Sequence, residues 1–69
     1  MKCLKEEAIK IDGGTITIKL MEDKDDNGVF YSIEVDGVEW VCIENMVHAV
    51  VLFNMMKDHI TEYMHYEKL

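Results

Sequence analysis

The chain of 69 residues contains no arginine, and its seven basic residues, all lysines, face 14 aspartates and glutamates. The net charge is therefore −7, and the isoelectric point is near 4.7. Because arginine makes the bidentate contacts to phosphates and guanines, this composition argues against direct nucleic-acid binding. An acidic surface repels phosphates and attracts basic proteins. We therefore expect a basic protein as the partner.

Reactive and cross-linking side chains are also scarce. Two cysteines, Cys3 and Cys42, are too few for a disulfide scaffold, so we expect reduced thiols in a cytoplasmic protein. The only serine, Ser32, falls on a predicted strand, and the histidines fall on a predicted helix. Nucleophilic catalysis needs a cysteine or serine beside a base and an orienting group. We therefore expect no enzymatic activity and no catalytic residues. We also expect no metal and no cofactor.

Long apolar runs are absent as well. The segment Met1–Glu7 is interrupted by charges, so we expect neither a signal peptide nor a membrane span. The length predicts a single domain over residues 1–69. An apolar fraction of 49% is enough to form a core.

The middle of the chain, by contrast, concentrates negative charge. The stretch from Glu22 to Glu44 carries eight carboxylates and one lysine, which together equal the net charge of the whole chain. The eight are Glu22, Asp23, Asp25, Asp26, Glu34, Asp36, Glu39 and Glu44. Because the stretch otherwise has the pattern of strands and tight turns, we expect this charge on a folded edge.

Asp36-Gly37 predicts a hairpin, because it lies between two alternating apolar runs. Both residues tolerate the positive φ that a two-residue type I′ turn requires. The resulting register pairs three sets of core-facing residues: Val35 with Val38, Ile33 with Trp40, and Tyr31 with Cys42. Glu34 and Glu39 then oppose each other on the other face.

A further strand, Thr15–Met21, precedes this hairpin and turns Ile16, Ile18 and Leu20 toward the core. Upstream of it, residues 4–11 allow two interpretations. As a strand they form a hairpin through Gly13-Gly14, and the predicted pairs are Ile11 with Ile16 and Ile9 with Ile18. As a short N-terminal helix they place Leu4, Ala8 and Ile11 at helical spacing. The sequence leaves both open.

From Asn45 onward the apolar period changes to 3.6, which predicts a helix over Asn45–Lys68 with Asn45 as its N-cap. Its apolar stripe consists of Met46, Ala49, Val50, Phe53, Met56, Ile60, Tyr63 and Met64. The predicted core consists of Ile16, Ile18, Leu20, Ile33, Trp40, Phe53, Met56 and Ile60. The fold class is therefore α+β, an antiparallel meander of three or four strands packed on one C-terminal helix.

A second apolar patch lies on the far side of this helix, and it comprises Val51, Leu52, Met55 and Tyr66. A helix that covers one small sheet should be polar there. The patch therefore predicts a helix-mediated homodimer or another binding surface.

The loop before the hairpin contains a calcium-binding pattern, Asp23-x-Asp25-x-Asn27-Gly28-x5-Glu34. An EF-hand with this pattern needs a helix on each side of the loop. Both neighbouring segments alternate like strands, so a solvated acidic turn is the preferred interpretation and a calcium-binding module the weaker alternative.

The segment Asp36-Gly37-Val38-Glu39-Trp40-Val41 resembles the Asp-Gly-x-Glu-aromatic-Val hairpin of a family of small acidic anti-CRISPR proteins. The strand Ile16-Thr17-Ile18-Lys19-Leu20 is similar to the first strand of that family, and the later elements come in the same order. The resemblance implies a phage-type inhibitor that acts in the cytoplasm of a host cell. Such an inhibitor occupies the PAM-reading site of a type II RNA-guided nuclease with carboxylates and so imitates DNA. Asp36, Gly37 and Glu39 match its inhibitory residues.

The sequence thus gives a leading hypothesis and an alternative from another class. The leading hypothesis is a non-enzymatic inhibitor whose acidic hairpin edge blocks a basic groove. Its candidate partner-binding residues are Asp23, Asp25, Asp26, Glu34, Asp36, Gly37 and Glu39. The alternative is a homo-oligomeric binding or structural protein that assembles through the second apolar patch.

Overall fold

The computed structural model describes residues 1–11 and 13–67, and within these ranges the side chains up to residue 62. One sheet and one helix make up the fold. The strands pair in the order β1-β2-β3-β4, each antiparallel to the next, and the helix packs on one sheet face. The elements are β1 (Lys2–Ile11), β2 (Gly14–Asp25), β3 (Gly28–Val35), β4 (Val38–Ile43) and α1 (Met46–Glu67). The predicted α+β meander is confirmed, with four strands.

The N-terminal segment is a strand, so the alternative of a short helix over residues 4–11 is wrong. Pairing with β2 and burial of Ile9 in the core outweigh the local helix propensity. Ile9 lies opposite Ile16 and Ile11 opposite Gly14, which is two residues away from the predicted pairing. The difference arises because the turn between the strands is shorter than predicted. A shift of two keeps every side chain on its face, so Ile9 still points to the core.

The core lies between α1 and one face of the sheet. Its largest fully buried side chains are Ile18, Leu20 and Ile33 on the sheet and Phe53 on the helix. Ile60 is also buried, and Ile16 and Met56 are half-buried against this cluster. Full burial of a side chain of this size stabilises the folded state by about 1.5–3 kcal/mol relative to an exposed position. The predicted core is therefore confirmed except for Trp40.

A bulge in β4 moves Trp40 out of the core. Glu34 lies opposite Glu39 as predicted, but the next pair is Ile33 with Val41, which leaves Trp40 as an extra residue. Its side chain is 58% exposed. The predicted pairing of Ile33 with Trp40 and the predicted burial of Trp40 are therefore wrong, because a bulge inserts one unpaired residue into the ladder.

Beyond the bulge, the remainder of β4 is shifted by one residue. Ile43 rather than Cys42 lies opposite Tyr31, while Cys42 lies opposite Ser32. A shift of one reverses the faces of all following residues. Ile43 accordingly packs against the core, and Cys42 is exposed as a free thiol. The predicted inward position of Cys42 is therefore wrong.

The helix begins where the sequence predicts. The Asn45 side-chain oxygen Oδ1 accepts a hydrogen bond from the backbone N–H of His48 at 3.0 Å, which makes Asn45 the N-cap. The predicted last helical residue, Lys68, lies outside the described residues. Over residues 1–11 and 13–67, no helix combines the length and the apolarity that crossing a membrane would require.

Polar contacts also hold α1 to β1, the edge strand farthest from β4. Lys5 Nζ donates a hydrogen bond to Asn54 Oδ1 at 3.3 Å and lies 5.3 Å from the centre of the Phe53 ring. Lys57 Nζ lies 3.5 Å from Glu7 Oε1. The helix therefore spans the sheet from the end of β4 to β1. The other face of the sheet is left uncovered by the described elements.

Candidate functional site

The Asp36-Gly37 turn closes the β3–β4 hairpin and is anchored to β2. Asp36 has a φ of 51° and Gly37 a φ of 83°, as the predicted type I′ turn requires. The Asp36 carboxylate accepts a hydrogen bond from the Thr17 N–H at 2.9 Å, and the Asp36 N–H donates to the Thr17 carbonyl oxygen at 2.8 Å. Asp36 thus holds the hairpin tip against β2, while Gly37 supplies conformational freedom.

Two glutamates oppose each other directly behind this turn. Glu34 of β3 lies opposite Glu39 of β4, on the sheet face away from α1. Lys19 of β2 lies opposite Glu34, and Glu6 of β1 lies opposite Lys19. The row therefore alternates in sign until β4, where Glu39 adds a second adjacent negative charge. Within the described part of the chain, Glu34 and Glu39 form no hydrogen bond or ion pair through their carboxylates.

The remaining predicted partner-binding residues lie at the other end of β3. Asp25 ends β2, Asp26 is in the turn that follows, and Asp23 lies near the end of β2. Because β3 has eight residues, this turn is roughly 25 Å from the Asp36-Gly37 turn at a strand rise of about 3.3 Å per residue. The predicted acidic edge is thus two groups. We call them the tip cluster (Glu34, Asp36 and Glu39) and the loop cluster (Asp23, Asp25 and Asp26).

Two carboxylates of the loop cluster accept hydrogen bonds from nearby backbone N–H groups. Asp23 Oδ1 accepts a hydrogen bond from the Lys24 N–H at 2.8 Å and lies 3.9 Å from the terminal amine of Met1. Asp25 Oδ1 accepts a hydrogen bond from the Asn27 N–H at 2.8 Å. Aspartate side chains commonly stabilise turns through such bonds. The loop cluster therefore contributes to the local fold as well as to the charge.

The calcium-loop pattern does not bring its ligand positions together. Glu34, the twelfth position of the pattern, lies six residues beyond Gly28 on β3, about 20 Å along the strand. It therefore cannot bind an ion held by Asp23 and Asp25. Among the residues that the structure describes, no group of three or more histidine, cysteine, aspartate or glutamate side chains could hold a metal ion.

An open concavity of about 510 Å³ lies beside the loop cluster. Its lining includes the side chains of Asp25, Glu44, Cys42 and Phe30. A reactive cysteine needs a neighbouring base, and the described residues that line this concavity include no histidine. Among these lining residues, Cys42 therefore has no imidazole base beside it.

The outer face of α1 exposes apolar side chains. Val51 is 52% exposed and Met55 is 61% exposed, in agreement with the predicted patch. Val47, which the sequence analysis did not include, is 64% exposed and lies on the same stripe at a spacing of four residues. Leu52 is half-buried and packs against the core, so it contributes less to this surface than predicted. The side chain of Tyr66 lies outside the described residues.

Trp40 lies at the surface, although the sequence predicts its burial. A regular ladder beyond Glu39 would have turned Val41 and Ile43 away from the core and Trp40 toward it. Apolar residues on both faces of this edge strand were the only local indication that the register could change. The bulge places Trp40 beside Glu39 on the strand and at the surface.

Comparison of this chain with protein-family models, with curated proteins and with solved structures finds no match.

Proposed function

We propose that this protein is a non-enzymatic inhibitor that places its tip cluster in a basic, nucleic-acid-binding groove of a partner protein. The observation that supports this most is the opposition of Glu34 and Glu39, whose carboxylates have no partner among the described residues. Like charges directly opposed across two strands destabilise a sheet by roughly 0.2–1 kcal/mol. A cationic groove would offset the repulsion between the two glutamates. Relief of this repulsion would therefore favour binding to such a groove.

The rigidity of the hairpin also supports the proposal. The type I′ turn and the two hydrogen bonds between Asp36 and the Thr17 backbone fix the conformation of the hairpin tip. The tip therefore loses little conformational entropy when a partner binds. The net charge of −7 would accelerate the encounter with a basic groove. Carboxylates held there would exclude the phosphates that the groove otherwise binds.

The first target to test is a type II RNA-guided nuclease, because the hairpin resembles that of small acidic anti-CRISPR proteins. On this proposal the tip cluster occupies the site that reads the PAM, and the protein acts in the cytoplasm of a phage-infected host cell. Arginines read the guanines of a PAM in such nucleases, and carboxylates pair with arginine in a bidentate manner.

The proposal is tested by titrating the nuclease, with and without its guide, with wild type and with the double variant Asp36→Asn/Glu39→Gln. Asparagine retains the Oδ1 acceptor for the Thr17 N–H and tolerates positive φ, so the fold should be unchanged. Affinity should fall by about 2–5 kcal/mol if either carboxylate is desolvated in a charge pair. It should also fall as salt rises. Equal binding by both proteins would reject the proposal.

A second candidate function is homo-oligomeric assembly through α1. Exposure of Val47, Val51 and Met55 in one stripe is the observation that favours it, since large contiguous apolar surfaces mark interaction sites. Light scattering at high protein concentration tests it. A dimer that Val51→Lys/Met55→Lys dissociates would support this function, and a wild-type monomer would reject it.

A further inference from the structure

The bulge in β4 gives the hairpin an exposed aromatic side chain. Trp40, the only tryptophan in the chain, is 58% exposed although it lies within a strand. Bulges occur next to functional sites, where they change the direction of a side chain. The same bulge allows Val41 and Ile43 to pack against the core. β4 therefore still contributes apolar side chains to the core although Trp40 is exposed.

The surroundings of Trp40 are negative. It lies on β4, an edge strand of the sheet, next to Glu39. Residues 28–45 contain four carboxylates and no lysine. An exposed indole beside carboxylates suits a guanidinium group, which stacks on aromatic rings and pairs with carboxylates.

We infer that Trp40 is an anchor for an arginine side chain of the partner, with the guanidinium stacked on the indole and Glu39 supplying the opposite charge. This inference rests on the proposed function and specifies how the partner is recognised. The occupant is an arginine-bearing segment of a basic protein. Tryptophan and arginine are both enriched among the residues that dominate binding energy at interfaces.

Charge complementarity favours this occupant over two others. A second copy of the chain on the same surface would bring its own Glu39 and Asp36 toward these carboxylates, and like charges would oppose association. An anionic membrane surface would be repelled by the net charge of −7. A cationic protein segment meets neither obstacle.

The test uses a fluorophore-labelled peptide of four Gly-Arg repeats and the same peptide with citrulline in place of arginine. Citrulline has nearly the same shape as arginine but no charge. Anisotropy at low salt measures binding to wild type, to Trp40→Leu and to Trp40→Phe. Leu4→Ala is the matched control, because Leu4 is an exposed apolar residue on β1, the edge strand farthest from β4. Circular dichroism confirms the fold of each variant.

We expect the arginine peptide, and not the citrulline peptide, to bind wild type. Trp40→Leu should weaken binding by roughly 2- to 30-fold, the range of cation–π energies from exposed to desolvated sites. Trp40→Phe should have a smaller effect, and Leu4→Ala should have none. Binding of the arginine peptide to Trp40→Leu with wild-type affinity would overturn the inference. So would equal binding of the two peptides, or no binding of either.

A parallel titration with Glu34→Gln/Glu39→Gln separates this inference from the proposed function. If these substitutions weaken binding and Trp40→Leu does not, the acidic surface is correct and the role of Trp40 is wrong. If only Trp40→Leu weakens binding, the indole binds arginine but the proposed docking through carboxylates fails.

Discussion

The two acidic clusters carry similar charge, but their carboxylates have different roles. In the loop cluster, Asp25 accepts a backbone hydrogen bond across its turn and Asp23 accepts one at the end of β2, while the carboxylate of Asp26 has no partner among the described residues. In the tip cluster, Asp36 bonds to a neighbouring strand, whereas the carboxylates of Glu34 and Glu39 have no partner among the described residues. The comparison shows that charge density alone does not identify a binding surface. Carboxylates already bonded within a turn serve the fold, while unpaired ones remain available to a partner.

The strongest stability test concerns Asp36, the tip-cluster residue that bonds to β2. Asp36→Ala should destabilise the protein by about 2 kcal/mol, since alanine is strained at positive φ and the Thr17 N–H loses its acceptor. Asp36→Asn should stay close to wild type because it retains both features. Chemical denaturation measures the difference. An unchanged midpoint for Asp36→Ala would show that the contact with β2 does not stabilise the hairpin.

A smaller loss is expected in the loop cluster. Asp25→Ala removes one hydrogen bond, to the Asn27 N–H, in an exposed turn, so we expect a loss of about 0.5–1.5 kcal/mol. Asp25→Asn, which keeps an oxygen acceptor, is the control. Thermal unfolding monitors both. If Asp25→Ala destabilises the protein more than Asp36→Ala, our ranking of the two turns is wrong.

The smallest effect, and the one of opposite sign, belongs to the unpaired glutamates. Glu39→Gln should stabilise the protein by a few tenths of a kcal/mol, because it relieves the repulsion from Glu34. The gain should shrink as salt rises, since exposed charges are screened within about 8 Å at physiological ionic strength. Denaturation at low and high salt measures it. A destabilising effect at low salt would mean that Glu39 has a favourable role in the fold.

Features that depend on a few neighbouring residues could be predicted from the sequence. Asp36-Gly37 determines a type I′ turn because both residues accept positive φ. Asn45 determines the start of α1 because its side chain caps the first turn. The apolar period of α1 correctly predicted the burial of Phe53 and Ile60.

Features that depend on distant packing could not be predicted. Residues 4–11 favour a helix locally and become a strand only because β2 provides a ladder and α1 covers Ile9. The bulge at Trp40 depends on which β4 residues fit beneath the helix, and no turn residue marks it.

The most direct test of the central claim compares two double variants with the same change in charge. Glu34→Gln/Glu39→Gln removes two of the three charges of the tip cluster, and Asp25→Asn/Asp26→Asn removes two of the three charges of the loop cluster at the other end of β3. Both are titrated against the guide-loaded nuclease at two salt concentrations. We predict that the first loses about 2–5 kcal/mol of affinity, as expected for desolvated charge pairs, and that the second loses much less. Equal losses would contradict the account, because binding would then follow net charge rather than the unpaired glutamates of the tip cluster.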